Sequence, residues 1–168
     1  MAGSRKSKKI DIPLPTIVVD TREQKPYKFN KSTKLAGSIS NKLEHGDYQI
    51  QGKPYLISVE RKQNIDELAF NLSTQRERFE REMERMQEAK HKYIIVEDYW
   101  SSIYRPRHSK MNANALFGSI ISFMAKYDVH FIFAGTREQA HKITRELLIK
   151  TNYYDELAEA EKADNEPT

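Results

Sequence analysis

The second half of the chain alternates between two hydrophobic periods, and this restricts the fold more than any other feature. Two short apolar runs, "KYIIVED" (Lys92–Asp98) and "VHFIFAG" (Val129–Gly135), flank "NANALFGSIISFMAKY", an apolar segment of helical length. Strand, helix and strand in that order need a crossover connection, and strands joined by a crossover pair in parallel. "TREQ" (Thr136–Gln139) then has the capping-box pattern, with Thr136 as N-cap and Gln139 three residues on, and predicts a helix to about Lys150.

The first half reads differently. "TIVVD" (Thr16–Asp20) is a β-branched strand. "DYQIQ" and "YLISVERK" are two strands turning at Gly52, Lys53 and Pro54, a hairpin signal. Lys34–Glu44 is predicted as a short helix. The charged segment Asp66–Lys90 is predicted as a long one, carrying Phe79, Met83 and Met86 as a narrow apolar stripe. The expected architecture is α/β, a mixed central sheet flanked by helices on both faces, without internal repeats or a dividing linker.

The 168 residues, 38% hydrophobic and 31% charged, suit one globular domain with its own core. Apolar runs such as "YIIV" and "FIFA" are far too short to span a bilayer, which needs about 20 apolar residues. The absence of cysteine excludes disulfides and thiolate metal sites and favours an intracellular setting. A net charge of +4 is a modest bias toward polyanions, unevenly distributed. Arg5, Lys6, Lys8 and Lys9 make residues 1–15 a basic, flexible arm, and "DELAEAEKADNEPT" makes residues 151–168 an acidic tail around a core at 16–150.

The residues able to do chemistry gather at strand ends. Asp20 closes an apolar strand, Asp47 opens the next, and Glu60 and Lys62 lie two apart near the end of the third. Period-2 alternation places Glu60 and Lys62 on one face and Arg61 on the other. In a hairpin turning near Gly52–Pro54, Asp47 and Glu60 are cross-strand neighbours. Two facing carboxylates repel unless a cation lies between them, and oxygen-only ligation suits Mg2+ or Mn2+. Such an ion polarises a phosphoryl oxygen and acidifies a bound water, and a lysine on the same face orients that water or holds a phosphate. These parts suit phosphodiester hydrolysis; the same residues also fit a solvated charge ladder on a sheet edge.

"GD" at Gly46–Asp47, "ERK" at Glu60–Lys62 and Asp66 beyond it resemble the GD…ERKxxxD signature of the XPF/Mus81 structure-specific endonuclease family, the ERCC4 nuclease domain. "VVDTRE" (Val18–Glu23) is similar to the family's first-strand motif, and the resemblance runs from about Thr16 to Lys150. It implies a restriction-endonuclease-like core and Mg2+- or Mn2+-dependent cutting of DNA near flaps, forks or other branches, as in repair or recombination. It implies Asp47 and Glu60 as main metal ligands with Asp20 as a further acid, Lys62 assisting water or phosphate, and Arg61 supporting the site or contacting DNA. Glu23 and Asp66 match motif positions as site support; Asp66 equally suits the N-cap of the next helix. Arg78 suits either a DNA contact or an ion pair within its own helix.

The family usually adds a tandem helix-hairpin-helix module, and nothing after Lys150 is long enough to be one. A compact form, or a domain excised from a longer protein, is therefore expected. DNA contacts would then fall to the basic arm, to Arg105, Arg107 and Lys110 in "YRPRHSK", or to a homodimer or partner protein. Tyr104 and His108 in the same loop suit base stacking or plain exposure. A catalytically silent DNA-binding or scaffold subunit and a sequence-specific restriction-type nuclease are the alternatives.

Overall fold

The computed structural model describes residues 9–165. Six strands form one sheet: β1 (Thr16–Asp20), β2 (Gly37–Asn41), β3 (Tyr48–Ile50), β4 (Ile57–Lys62), β5 (His91–Val96) and β6 (His130–Phe133). Their spatial order is β2-β1-β3-β4-β5-β6. β1 runs parallel to β2, β3 is antiparallel to both β1 and β4, and β4, β5 and β6 are parallel. The C-terminal ends of β4, β5 and β6 therefore share one end of the sheet, as the crossover pattern predicts.

Helices cover both faces. α1 (Ile65–Leu72), α2 (Arg76–Met86) and α3 (Ala113–Tyr127) bury Leu68, Phe79, Met83 and Phe123 against Ile94 and Val96. α4 (Arg137–Asn165) covers the other face, burying Leu148 and Ile149 in a cluster with Ile17, Tyr48, Val59 and Ile95. Val129 and the four-residue β6 pack beside them, and the Thr136 hydroxyl accepts from the Gln139 amide as the capping pattern predicts.

Four expectations are corrected. The helix predicted over Lys34–Glu44 is instead strand β2, paired along its length with β1 from Thr16↔Gly37 to Asp20↔Asn41. "GSISN" is built from weak helix formers, and the open edge of β1 supplies backbone partners that a helix would forgo. The segment Asp66–Lys90 holds two helices, broken at Ser73, whose hydroxyl turns back onto the Ala69 carbonyl at 2.6 Å. The N-cap of α1 is Asn64, accepting from the Glu67 amide at 2.9 Å, and not Asp66. α4 continues through Thr151 to Asn165, so that stretch of the acidic segment is helical. Lys53 in the β3–β4 turn holds it there through Asp155 at 2.7 Å and Glu156 at 2.5 Å. Residues 1–8 of the basic arm and 166–168 of the acidic segment lie outside the described residues.

Candidate active site

Register brings three carboxylates side by side. Val19 faces Tyr48 and Tyr48 faces Val59, so the next residue along each strand, Asp20, Asp47 and Glu60, continues the row. Backbone bonds carry the ladder that far: the Asp20 amide donates to the Asp47 carbonyl at 2.9 Å, and the Asp47 amide to the Val59 carbonyl at 2.8 Å. Residues opposite one another share a face, so the row looks out on the side where α1 and α2 pack. Gly46 makes the turn into β3 with φ +69°, and a Cβ there would collide with the Ser58 hydroxyl. The turn is fixed further by buried His45, whose ring meets the Ser58 hydroxyl at 2.9 Å and Glu88 at 3.0 Å.

The three acids differ in their surroundings. Asp20 is buried and already neutralised, with the Arg22 guanidinium 2.8 Å from Oδ2. Asp47 Oδ2 accepts the backbone amide of Arg61 at 2.7 Å. Burial and then the charge of Glu60 raise the Asp47 carboxyl well above its ordinary range, against the pull of that hydrogen bond and of Lys62. Glu60 accepts from Lys62 Nζ at 3.0 Å. Lys62 is buried with its ammonium 4.8 Å from the centre of the Phe79 ring. Burial pulls the Lys62 ammonium down, but Glu60 and Glu67 outweigh it and its pKa is raised. Lys62 Nζ is thus held as a donor to Glu60 at the edge of the row.

These groups floor a groove of about 450 Å³ that runs from the 44–46 turn across the strand ends to Arg78, Glu82 and Arg85 of α2. It reaches round the sheet end to Arg22 and Lys25. Among the described residues no three His, Asp or Glu side chains converge as a ready-made metal cage. The donor set fits a looser mode: Mg2+ commonly takes only one or two carboxylates, keeps several waters and completes its shell with substrate phosphate. The mutual repulsion of Asp47 and Glu60 is the observation that favours a cation there.

Arg61 occupies the other face. Its Nε meets Glu97 at 2.6 Å, its Nη1 meets Glu23 at 3.3 Å, and its guanidinium lies 5.6 Å from the Tyr27 ring centre. Glu97 also accepts from the Tyr27 hydroxyl at 2.7 Å and from Arg137 at 3.1 Å. Glu23 is thus bound into this clamp, and the Arg61 backbone, not its side chain, touches Asp47.

The outlying candidates separate as well. Asp66 straps the 105–112 loop to α1, its Oδ1 accepting the amides of His108 at 2.9 Å and Ser109 at 3.2 Å. Arg105, Arg107 and Lys110 are exposed on that loop and do not line the groove. Tyr104 is exposed just before it. Arg78 does line the groove and is exposed, and it also pairs with Glu82 at 3.4 Å within α2.

Residues 19–147 match the family model described as the ERCC4 domain. The chain belongs to the ERCC4 domain family. Its fold is similar to that of XPF from Aeropyrum pernix, with a TM-score of 0.60 and 22% identity over 79% of this chain and 64% of that one. A second structure, of XPF from Aeropyrum pernix in complex with DNA, gives a TM-score of 0.56 and 22% identity over 81% and 64% of the two chains. The likeness establishes the restriction-endonuclease-like fold, and this chain spans 64% of the length of those chains, less than two thirds. No curated protein matches it significantly in sequence.

Within the ERCC4 domain, several site residues escape sequence reasoning. Arg22 lies in the quoted "VVDTRE" yet its hold on Asp20 depends on side-chain geometry. Glu97 bears the same mark as Asp20, an acid directly after a buried strand, and that mark was the available signal. Tyr27 and His45 carry none: an aromatic in a loop and a histidine beside a glycine have no pattern until long-range packing places them.

Proposed function

We propose that this ERCC4 domain is a divalent-metal-dependent DNA endonuclease acting at flaps, forks or other branched structures, in an intracellular, DNA-associated setting. The observation that carries the reading is the close pair Asp47 and Glu60, answered by a single buried ammonium, Lys62, at the floor of an open groove. Asp47 and Glu60, with Asp20 alongside, would hold Mg2+ or Mn2+. When bound, such an ion supplies Lewis-acid polarisation of the phosphodiester and an acidified water.

The chain's own residues account for the rest. The Arg61 amide fixes one oxygen of Asp47 and so orients the carboxylate. Lys62, held charged by Glu60, stands ready to donate to a phosphate oxygen as negative charge grows on it. Arg78 and Arg85 on the groove wall offer guanidinium groups to the DNA backbone. The solved DNA complex of XPF supports a nucleic-acid ligand for the same fold. Pairing with a second copy or a partner protein is part of the proposal, supported by the exposed Phe117 and Ile121 of α3.

The test is cleavage of flap, fork, splayed-arm and plain duplex DNA with Mg2+ and Mn2+. Branched substrates are expected to be cut and Asp47→Ala to be inactive; a wild-type chain that cuts none of them, or an Asp47→Ala variant that cuts equally well, overturns the reading. One observation favours a catalytically silent DNA-binding subunit instead: Arg22 and Lys62 already pair with Asp20 and Glu60, leaving Asp47 alone of the three without a cationic partner among the described residues. Metal binding that is unaffected by Glu60→Gln would support that second reading.

A further inference from the structure

From Gln24 to Leu43 the sequence holds Lys25, Lys28, Lys31, Lys34 and Lys42 and not a single Asp or Glu. The chain as a whole carries 24 acidic residues, so an acid-free stretch of this length is a departure from its own composition. Much of the stretch is the connection between β1 and β2, residues 21–36, which forms no strand or helix of its own. Loops longer than about 12–15 residues without internal structure are uncommon in compact domains and usually functional.

The loop is nonetheless firmly held. Tyr27 stacks on Tyr48 with ring centres 5.3 Å apart and on His141 at 5.0 Å, and Phe29 packs edge-on against Tyr48 at 5.5 Å. Arg137 donates to the Lys25 carbonyl at 2.9 Å, and Arg145 to the Ser32 hydroxyl at 3.3 Å. With Tyr27, Phe29 and Leu35 turned inward, Lys25, Lys28, Lys31 and Lys34 are all exposed, and none of them forms an ion pair among the described residues. Because β2 is parallel to β1, the loop must run from the groove end of β1 back to its opposite end, a distance of about 17 Å for a five-residue strand. It starts in the groove, which Lys25 lines, and β2 returns to it just before Glu44, which lines it too.

We propose that this lysine loop is a phosphate track that holds a duplex arm of the DNA as it leaves the catalytic groove; the proposal rests on the nuclease reading above. Lysines are point charges suited to sequence-independent backbone contact, and a rigid anchored loop presents them without the cost of ordering a flexible arm. The loop's aromatic rings are turned into the core and offer no stacking platform, which favours a duplex backbone over unpaired bases.

The experiment measures binding without cleavage, by fluorescence anisotropy in EDTA across a salt series, on forks with duplex arms and on splayed single strands of equal length. Wild type is compared with Lys28→Gln/Lys31→Gln/Lys34→Gln and with a charge-matched control, Lys90→Gln/Lys150→Gln/Lys162→Gln. The track variant is expected to lose affinity for the duplex-armed fork about tenfold or more at low salt, and its log–log salt slope to shrink by about one per lysine removed. The control is expected to change the slope by less than one, and single-strand binding to change little in either. Equal loss in the two variants, or a loss confined to single strands, overturns the track. Wild-type protein that binds no DNA overturns the nuclease reading as well, whereas wild-type binding with an unchanged slope in the track variant overturns the track alone.

Discussion

One strand end carries two charge clusters of opposite character. Glu60 and Lys62 face a groove in which two carboxylates repel each other and a single ammonium answers only one of them. One residue away and on the reverse face, Arg61 sits between Glu23 and Glu97, with Tyr27 and Arg137 completing the shell. The rear cluster has its charges paired within the protein, with Glu23 and Arg61 only bordering the groove. The front cluster is open and lacks one positive charge. Residues that serve the fold satisfy one another; residues kept for a ligand leave a deficit that the ligand removes.

The sharpest way to break this comparison is Asp47→Asn. Cleavage is expected to fall by at least about a hundredfold, while the metal-free protein becomes more stable. The sign follows from the raised carboxyl of Asp47: its folded pKa lies above the unfolded one, so the folded state loses stability as pH rises through that range. The asparagine keeps an acceptor for the Arg61 amide without the charge. At neutral pH its thermal midpoint is expected to lie above wild type, with the difference vanishing in acid, where Asp47 is protonated in both states. Calorimetric melting at several pH values checks both the sign and its pH dependence.

Arg61→Ala strikes the rear cluster and is expected to behave oppositely. It strands the buried carboxylates of Glu23 and Glu97, and removing one partner of a buried ion pair costs about 3–5 kcal/mol. Urea unfolding should show a loss of that size, where Lys62→Met, whose partner Glu60 borders the open groove, is expected to lose less stability and to cost activity as well. A smaller effect concerns acid. Burial would raise the Glu97 carboxyl, but hydrogen bonds from Arg61 and Tyr27 outweigh it and hold it below its ordinary value of 4.5. Its contribution is present above that value and is lost as pH falls through the lower folded one. Tyr27→Phe removes one of those bonds, and a loss of about 1 kcal/mol at pH 7 that narrows below pH 4 is expected in the same unfolding measurement.

The front cluster was largely legible in the sequence and the rear one was not. A short hairpin fixes which residues oppose each other, so the Asp47–Glu60 pairing and the shared face of Glu60 and Lys62 follow from counting along two neighbouring strands. The clamp needs β5 beside β4 and a helix start beyond β6, contacts set by chain segments up to 76 positions from Arg61 (Arg137 acts through Glu97), and no local pattern announces them. The misread helix at Lys34–Glu44 has the same origin. Gly37–Asn41 has neither helical nor alternating hydrophobicity, and the edge of β1 decides its conformation. The acidic segment after Lys150 looked like a solvated tail because its ties, to Lys53 and through Asn152 to the Pro13 carbonyl, reach segments far away in the chain. Helical spacing of Phe79, Met83 and Met86 correctly marked the buried stripe of α2 but could not register the break at Ser73.

The central claim, that the deficit of positive charge in front of the sheet is a metal site, is tested most directly by Mn2+ titration calorimetry on the metal-free domain. Wild type and Tyr27→Phe are expected to bind with similar heats and affinities, and Asp47→Asn and Glu60→Gln to lose that heat. Undiminished Mn2+ binding in Asp47→Asn and Glu60→Gln would contradict the account.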